Sequence, residues 1–246
     1  MKLLKSNGTK IVLASLLFPV CLSILSVILI HKTGNFWQGV GDLVVFLVAY
    51  LLNYRYFGEK IYWFSSKNAY KQFIVALPAI IIVGFLNSPM LAVADFKVKF
   101  SVIVMCLLVG LAEEYVFRGV VLGLFLKMTH NNAFGAVIGS SIMFGLIHMI
   151  NLRSLPIGYV SAQVLFAAAI GILFGTIYIL TNNLSIVILL HALRDMFPMF
   201  SEKMMSQVSQ TKFSVATLYV MVFFLIITLV ISYAQLSRFE LAKREV

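Results

Sequence analysis

Residues 11–30 form a run of 20 residues without one charged side chain. As an α-helix rising about 1.5 Å per residue, such a run crosses the ~30 Å hydrocarbon core of a bilayer. A basic start (Lys2, Lys5, Lys10) precedes it, which raises the question of a secretory signal. The run exceeds the ~7–15 apolar residues of a signal peptide, and His31, Lys32 and Thr33 after it make no small-residue cleavage site. It is expected to be a retained transmembrane helix. Within lipid, backbone groups must find partners inside the protein, so helices and closed barrels are the spanning structures. Seven further apolar runs follow at about 41–57, 73–94, 100–126, 134–150, 157–180, 184–200 and 213–234. They predict an all-α, polytopic membrane helix bundle of about eight transmembrane helices.

Composition agrees. Of 246 residues, 61% are hydrophobic and 28 are charged. Soluble domains carry about 25% charged residues, so a water-soluble enzyme, a disordered chain and a disulfide scaffold are excluded. Cys21 and Cys106 both lie in apolar runs and are expected to be unpaired. No polar stretch is long enough for a second domain, so 1–246 reads as a single membrane-embedded domain with its motif core at 100–200.

A net charge of +10 would suggest nucleic acid in a soluble protein. Here 17 of the 19 Lys and Arg residues sort by loop, all but Arg118 and Arg194. With the N-terminus cytoplasmic, eleven fall on the inside (Lys2 to Lys10, Arg55 to Lys71, Lys127, Arg238 to Arg244) and six on the outside. That bias places both termini in the cytoplasm and leaves no nucleic-acid partner. The basic, aromatic stretch 54–71 is expected to be a helix or loop at the headgroup level.

Five charges remain inside the spans: Glu113, Glu114, Arg118, Arg194 and Asp195. Each costs ~2.5–3.5 kcal/mol at mid-bilayer on insertion scales, so they should face the bundle interior and pair. Glu114 and Arg118 are four apart and can form an ion pair on one helix face. Glu113 points about 100° away and stays available. His191 and Asp195 are likewise four apart, and His148 stands on another span. Arg194 is expected to snorkel toward the interface.

The set Glu113, Glu114, His148, His191 and Asp195 can activate water for hydrolysis, most plausibly of an amide. Two imidazoles and a carboxylate, such as His148, His191 and Glu113, can hold zinc and leave a position for water. A Glu near water can equally act as a metal-free general base, and both routes stay open. There is no H-E-x-x-H and no G-x-S-x-G. Ser140 and Ser141 read as helix-packing serines.

Glu113-Glu114-Tyr115-Val116-Phe117-Arg118 resembles the E-E-x-x-x-R motif of the CPBP family, the CAAX proteases and bacteriocin-processing enzymes, also called Abi proteins. Phe144 to His148 is similar to its F-x-x-x-H, and His191 to Asp195 to its H-x-x-x-N/D. The order agrees as well. The resemblance implies an intramembrane endopeptidase in which Glu113 activates water. Glu114, His148, His191 and Asp195 would complete the catalytic site, with Arg118 as structural partner of the Glu pair. It implies a membrane-associated peptide or protein as substrate, zinc as a candidate cofactor, and, from the small size and short loops, a bacterial cytoplasmic membrane. Two rivals are a non-catalytic scaffold of the same family that binds a partner protein, and a proton-coupled transporter. The latter lacks the internal repeat that transporters often show.

Overall fold

The computed structural model describes residues 6–28, 34–87, 96–199 and 214–244. Among them every regular element is helical. The helices are α1 (Asn7–Ile28), α2 (Asn35–Leu52), α3 (Ala69–Asn87), α4 (Phe96–Glu114), α5 (Leu122–Met128), α6 (Ala133–Ile147), α7 (Ile157–Thr181), α8 (Leu184–Met199) and α9 (Val215–Arg244). A π-helical segment, Tyr115–Val121, joins α4 to α5 without a break, so the two make one span. Among the described residues, seven stretches are long and apolar enough to cross a membrane. This is an integral membrane protein, and each of the eight apolar runs meets one helical stretch. The run at 184–200 becomes α8, whose 16 residues are fewer than the ~20 that span hydrocarbon.

The bundle is layered. α7 packs on α6 and α9, and α4 packs on α8 and α2. The interior is built by α4 to α8, where Phe117, Leu122, Leu124, Phe174 and Ile177 are buried. α1, α3 and α9 instead leave large apolar side chains on the outside, among them Val27, Phe85 and Phe223. In water such a surface would drive association. In a bilayer it is the solvent-compatible face.

Glycines set the closest approaches. A Cβ on Gly110 would lie 3.0 Å from the Ile188 carbonyl oxygen, so α4 and α8 meet backbone to backbone there. A Cβ on Gly145 would lie 2.7 Å from the Val164 carbonyl oxygen, which brings α6 equally close to α7. Ser140 donates to the Phe117 carbonyl at 2.8 Å and Ser141 to Val137 at 2.7 Å, both helix-packing bonds.

The basic, aromatic stretch 54–71 is mostly an ordered strap. The π-turn Asn53–Phe57 ends at Gly58, whose φ of 68° needs glycine's freedom. The chain then runs without regular secondary structure to the turn before α3. Asn53 closes the loop, its Nδ2 donating to the Glu59 carbonyl (3.0 Å) and its Oδ1 accepting from the Glu59 N–H (2.9 Å). The carbonyls of Tyr62 and Trp63 accept from the N–H groups of Leu184 and Ser185 at 2.9 and 3.0 Å. Those are orphan donors of the first turn of α8, so the strap caps the helix that carries His191. Asn183 strengthens the join, its Nδ2 donating to Gln72 at 2.9 Å.

Candidate active site

Glu113 and Glu114 end α4, and the wider π-turn starts at the next residue. π-segments arise where an extra residue is held in a helix, commonly at functional sites. Gly171 of α7 makes room for Arg118: a Cβ there would stand 3.1 Å from its Nη2. The guanidinium is 1% exposed and donates to Glu114 Oε1 at 2.9 Å. It also lies 4.2 Å from the centre of the Phe144 ring and 5.7 Å from that of Phe174. Phe144 thus has a task of its own, since its ring also meets the imidazoles of His148 and His191 edge-on.

His191 is the hub. Its Nδ1 lies 2.6 Å from Glu114 Oε1, and its Nε2 lies 3.2 Å from Asp195 Oδ2 and 3.5 Å from Glu113 Oε2. Ionised carboxylates only accept, so each of the two short contacts needs a proton between its atoms. A neutral ring supplies one. The second resides on the ring, as imidazolium, or on a carboxyl group. The cluster therefore stores a shared proton among one imidazole and three acids. His148, where α6 tightens into the 3-10 turn His148–Arg153, bonds the Phe144 carbonyl through Nδ1 at 3.0 Å. A carbonyl accepts, so that nitrogen carries the hydrogen, and Nε2 is the free acceptor of the neutral ring.

Glu113, His148, His191 and Asp195 line a cavity of about 600 Å³ between the helices. Glu114 and Arg118 are fully buried behind it and are absent from its wall. Arg118 neutralises Glu114 behind the wall, and Glu114 in turn orients His191. Among the described residues, no three His, Cys, Asp or Glu side chains form a group arranged to hold a metal ion.

Two residues stand elsewhere than expected. Arg194 does not snorkel: it lines the cavity, with Nη1 3.9 Å from Asp195 and its guanidinium 4.5 Å from the Phe166 ring centre. Asp195 and Phe166 reward an inward direction that a lone helix could not reveal. The apolar run that begins at about Gly41 puts Asp42 at the entry of its span. α2 instead begins at Asn35, two turns earlier, and Asp42 is buried in the cavity wall with Gln38 one turn before it. Cavity polarity also comes from Asn151 and Gln163, which bond each other at 2.8 Å. The one available sequence signal was Asp42 four residues after Gln38, a spacing that puts both on one helix face.

The fold and this cluster define a polytopic membrane protein with an acid–imidazole centre buried among its helices. Residues 96–197 match the family described as Rce1-like, type II CAAX prenyl endopeptidase Rce1-like. That segment, about two fifths of the chain, holds all three motifs. No curated protein and no solved structure matches the chain.

Proposed function

We propose that the protein is an intramembrane endopeptidase that hydrolyses a peptide bond of a membrane-associated peptide or protein. The observation that carries this reading is the position of Glu113: an acid on a cavity wall, 3.5 Å from an imidazole that two other carboxylates hold in place. Glu113 takes a proton from water, and the resulting hydroxide attacks the carbonyl carbon of the scissile amide. The proton passes to the leaving nitrogen as the C–N bond breaks, which restores the carboxylate. General-base assistance of this kind contributes about 10²–10⁴-fold. His191, with Glu114 and Asp195 fixing its ring, supplies or buffers the proton near the developing charge. His148 Nε2 orients the water in the neutral ring, or donates to the oxyanion when the ring is protonated.

The step uses this chain's own acids and imidazoles, with no metal in its sequence. Zinc bound by Glu113, His148 and His191 would supply a Lewis acid there, and metal content decides between the routes. Elemental analysis of the purified protein should find no stoichiometric zinc. A 1:1 zinc signal that disappears in His191→Ala would replace the metal-free route. The orientation that accompanies this reading puts both termini in the cytoplasm, with a bacterial cytoplasmic membrane as the setting.

Comparative peptidomics of membranes carrying the active chain or Glu113→Gln tests the activity. Fragments present with the first and absent with the second name the substrate. Identical peptide sets, or a biological effect that survives Glu113→Gln, would move the protein to the scaffold class.

A further inference from the structure

The α2 wall of the cavity carries a carboxylate that the reaction above does not use. Asp42 is 3% exposed and lines the cavity, and its Oδ2 is buried without a hydrogen-bond partner. The other acids on the wall are accounted for. Asp195 has His191 at 3.2 Å and Arg194 at 3.9 Å, and Glu113 has His191 at 3.5 Å. Asp42 has no such neighbour among the described residues. An unpaired buried carboxylate is costly enough that it calls for an explanation, and one arriving from outside the chain suffices.

The surroundings specify what arrives. Gln38, one turn earlier on α2, lines the same space and adds a neutral carboxamide. Around the cavity stand three carboxylates (Asp42, Glu113, Asp195) against one guanidinium, Arg194, which is already beside Asp195, and the one proton shared at His191, which leaves one negative charge over. The local surplus is negative in a chain whose net charge is +10. Overall charge would repel a cationic ligand, so any preference for one must come from the cavity itself.

We infer that Asp42, with Gln38 beside it, forms a specificity subsite for a cationic side chain, Lys or Arg, of the peptide that is cut at Glu113. The ammonium or guanidinium gives the Asp42 carboxylate a charge-assisted donor and leaves Gln38 to hold backbone amide groups of the same peptide. Peptide as the occupant rests on the proposed function. The subsite itself is tested by binding, which needs no turnover.

The probes are fluorescent decanoyl-Leu-Lys-Leu-amide and its Gln counterpart, titrated by anisotropy against Glu113→Gln protein in nanodiscs of zwitterionic phosphatidylcholine. The neutral lipid keeps bilayer charge from attracting the Lys probe. The Lys probe should bind about tenfold more tightly, the size expected of one desolvated charge pair. Asp42→Asn should level the two affinities. Gln38→Lys, which places an ammonium one turn from Asp42, should level them too and serves if Asp42→Asn does not fold. Equal binding of the probes before mutation, no binding of either, or a preference that persists in both variants overturns the subsite. Cleavage by the unmutated protein reports separately. A Lys probe bound but never cut would break the peptidase reading and leave the subsite standing, whereas cleavage with no Lys preference would remove the subsite alone.

Discussion

Two polar networks are buried in this bundle, one on each side of the π-segment, and they are built differently. At the strap, each group finds its complement: Asn53 closes on Glu59, Gln72 donates to the Ser65 and Lys67 carbonyls, and Asn183 donates to Gln72. Glu59 pairs with Lys127 at 2.6 Å. Around the cavity the accounts stay open. Glu114 Oε2, Arg118 Nη2, Arg194 Nε and Asp42 Oδ2 are all buried without partners. A satisfied network rigidifies its surroundings, and an unsatisfied one marks strain, chemistry or a missing ligand. The strap thus reads as the scaffold that fixes α8, and the cavity as the place where something else binds and reacts.

That contrast can be broken by mutation. The largest effect should come from Glu113→Gln, with proteolysis falling ~10²–10⁴-fold or below detection. Its detergent unfolding curve should stay near that of the parent, and a matching loss of fold would instead make Glu113 a packing residue. Arg118→Ala comes next. It leaves Glu114 and its two neighbouring acids with one fewer cation in the interior, a loss on the order of 3–5 kcal/mol. Denaturant unfolding in detergent checks it, and unchanged stability would remove the ion pair from the structural account.

Smaller effects should separate the strap from the site. Asn53→Ala strands the buried Glu59 N–H and Tyr115 hydroxyl, at a cost of about 1–3 kcal/mol. Catalytic turnover of the folded fraction should change little, so a large fall in turnover without loss of stability would merge the two networks into one. The smallest belongs to Lys127→Ala. Its side chain is 52% exposed while that of Glu59 is 5% exposed, so water screens only one end of the pair and its loss should cost about 1 kcal/mol. A fall in melting temperature of about 2–4 °C is expected, and an unchanged melting temperature would mean that the Glu59 charge does not depend on Lys127.

Much of the fold could be read from the sequence because lipid imposes a length rule. Each apolar run of span length meets a helix, since a helix satisfies its backbone groups within the run itself. Span ends were less legible: Asn35 to Val40 extend α2 by more than a turn before the apolar run, and this hid Asp42. The residues that meet around His191 were also legible, because i,i+4 spacing and the scarcity of intramembrane charge singled them out. The Glu114–Arg118 spacing also left Glu113 as the available acid, whereas the close approach of the helices at Gly110 and Gly171 was not legible. The strap was invisible to periodicity for a different reason. Its structure comes from hydrogen bonds to residues more than 100 positions away, such as Leu184 and Asn183.

The π-segment Tyr115–Val121 also sets a rotational phase. It holds one more residue than an α-helical path would need, and each residue turns a helix by about 100°. Upstream of it the chain presents the carboxylates, and downstream it presents Lys127 to Glu59 of the strap. Deleting a single residue within 119–121, after Arg118, would let the span relax into a continuous α-helix. The anchor and the Glu pair could then no longer face their partners together. Every motif residue would survive in the sequence, and the clock-hand that aims Glu113 at the cavity would be set to the wrong hour.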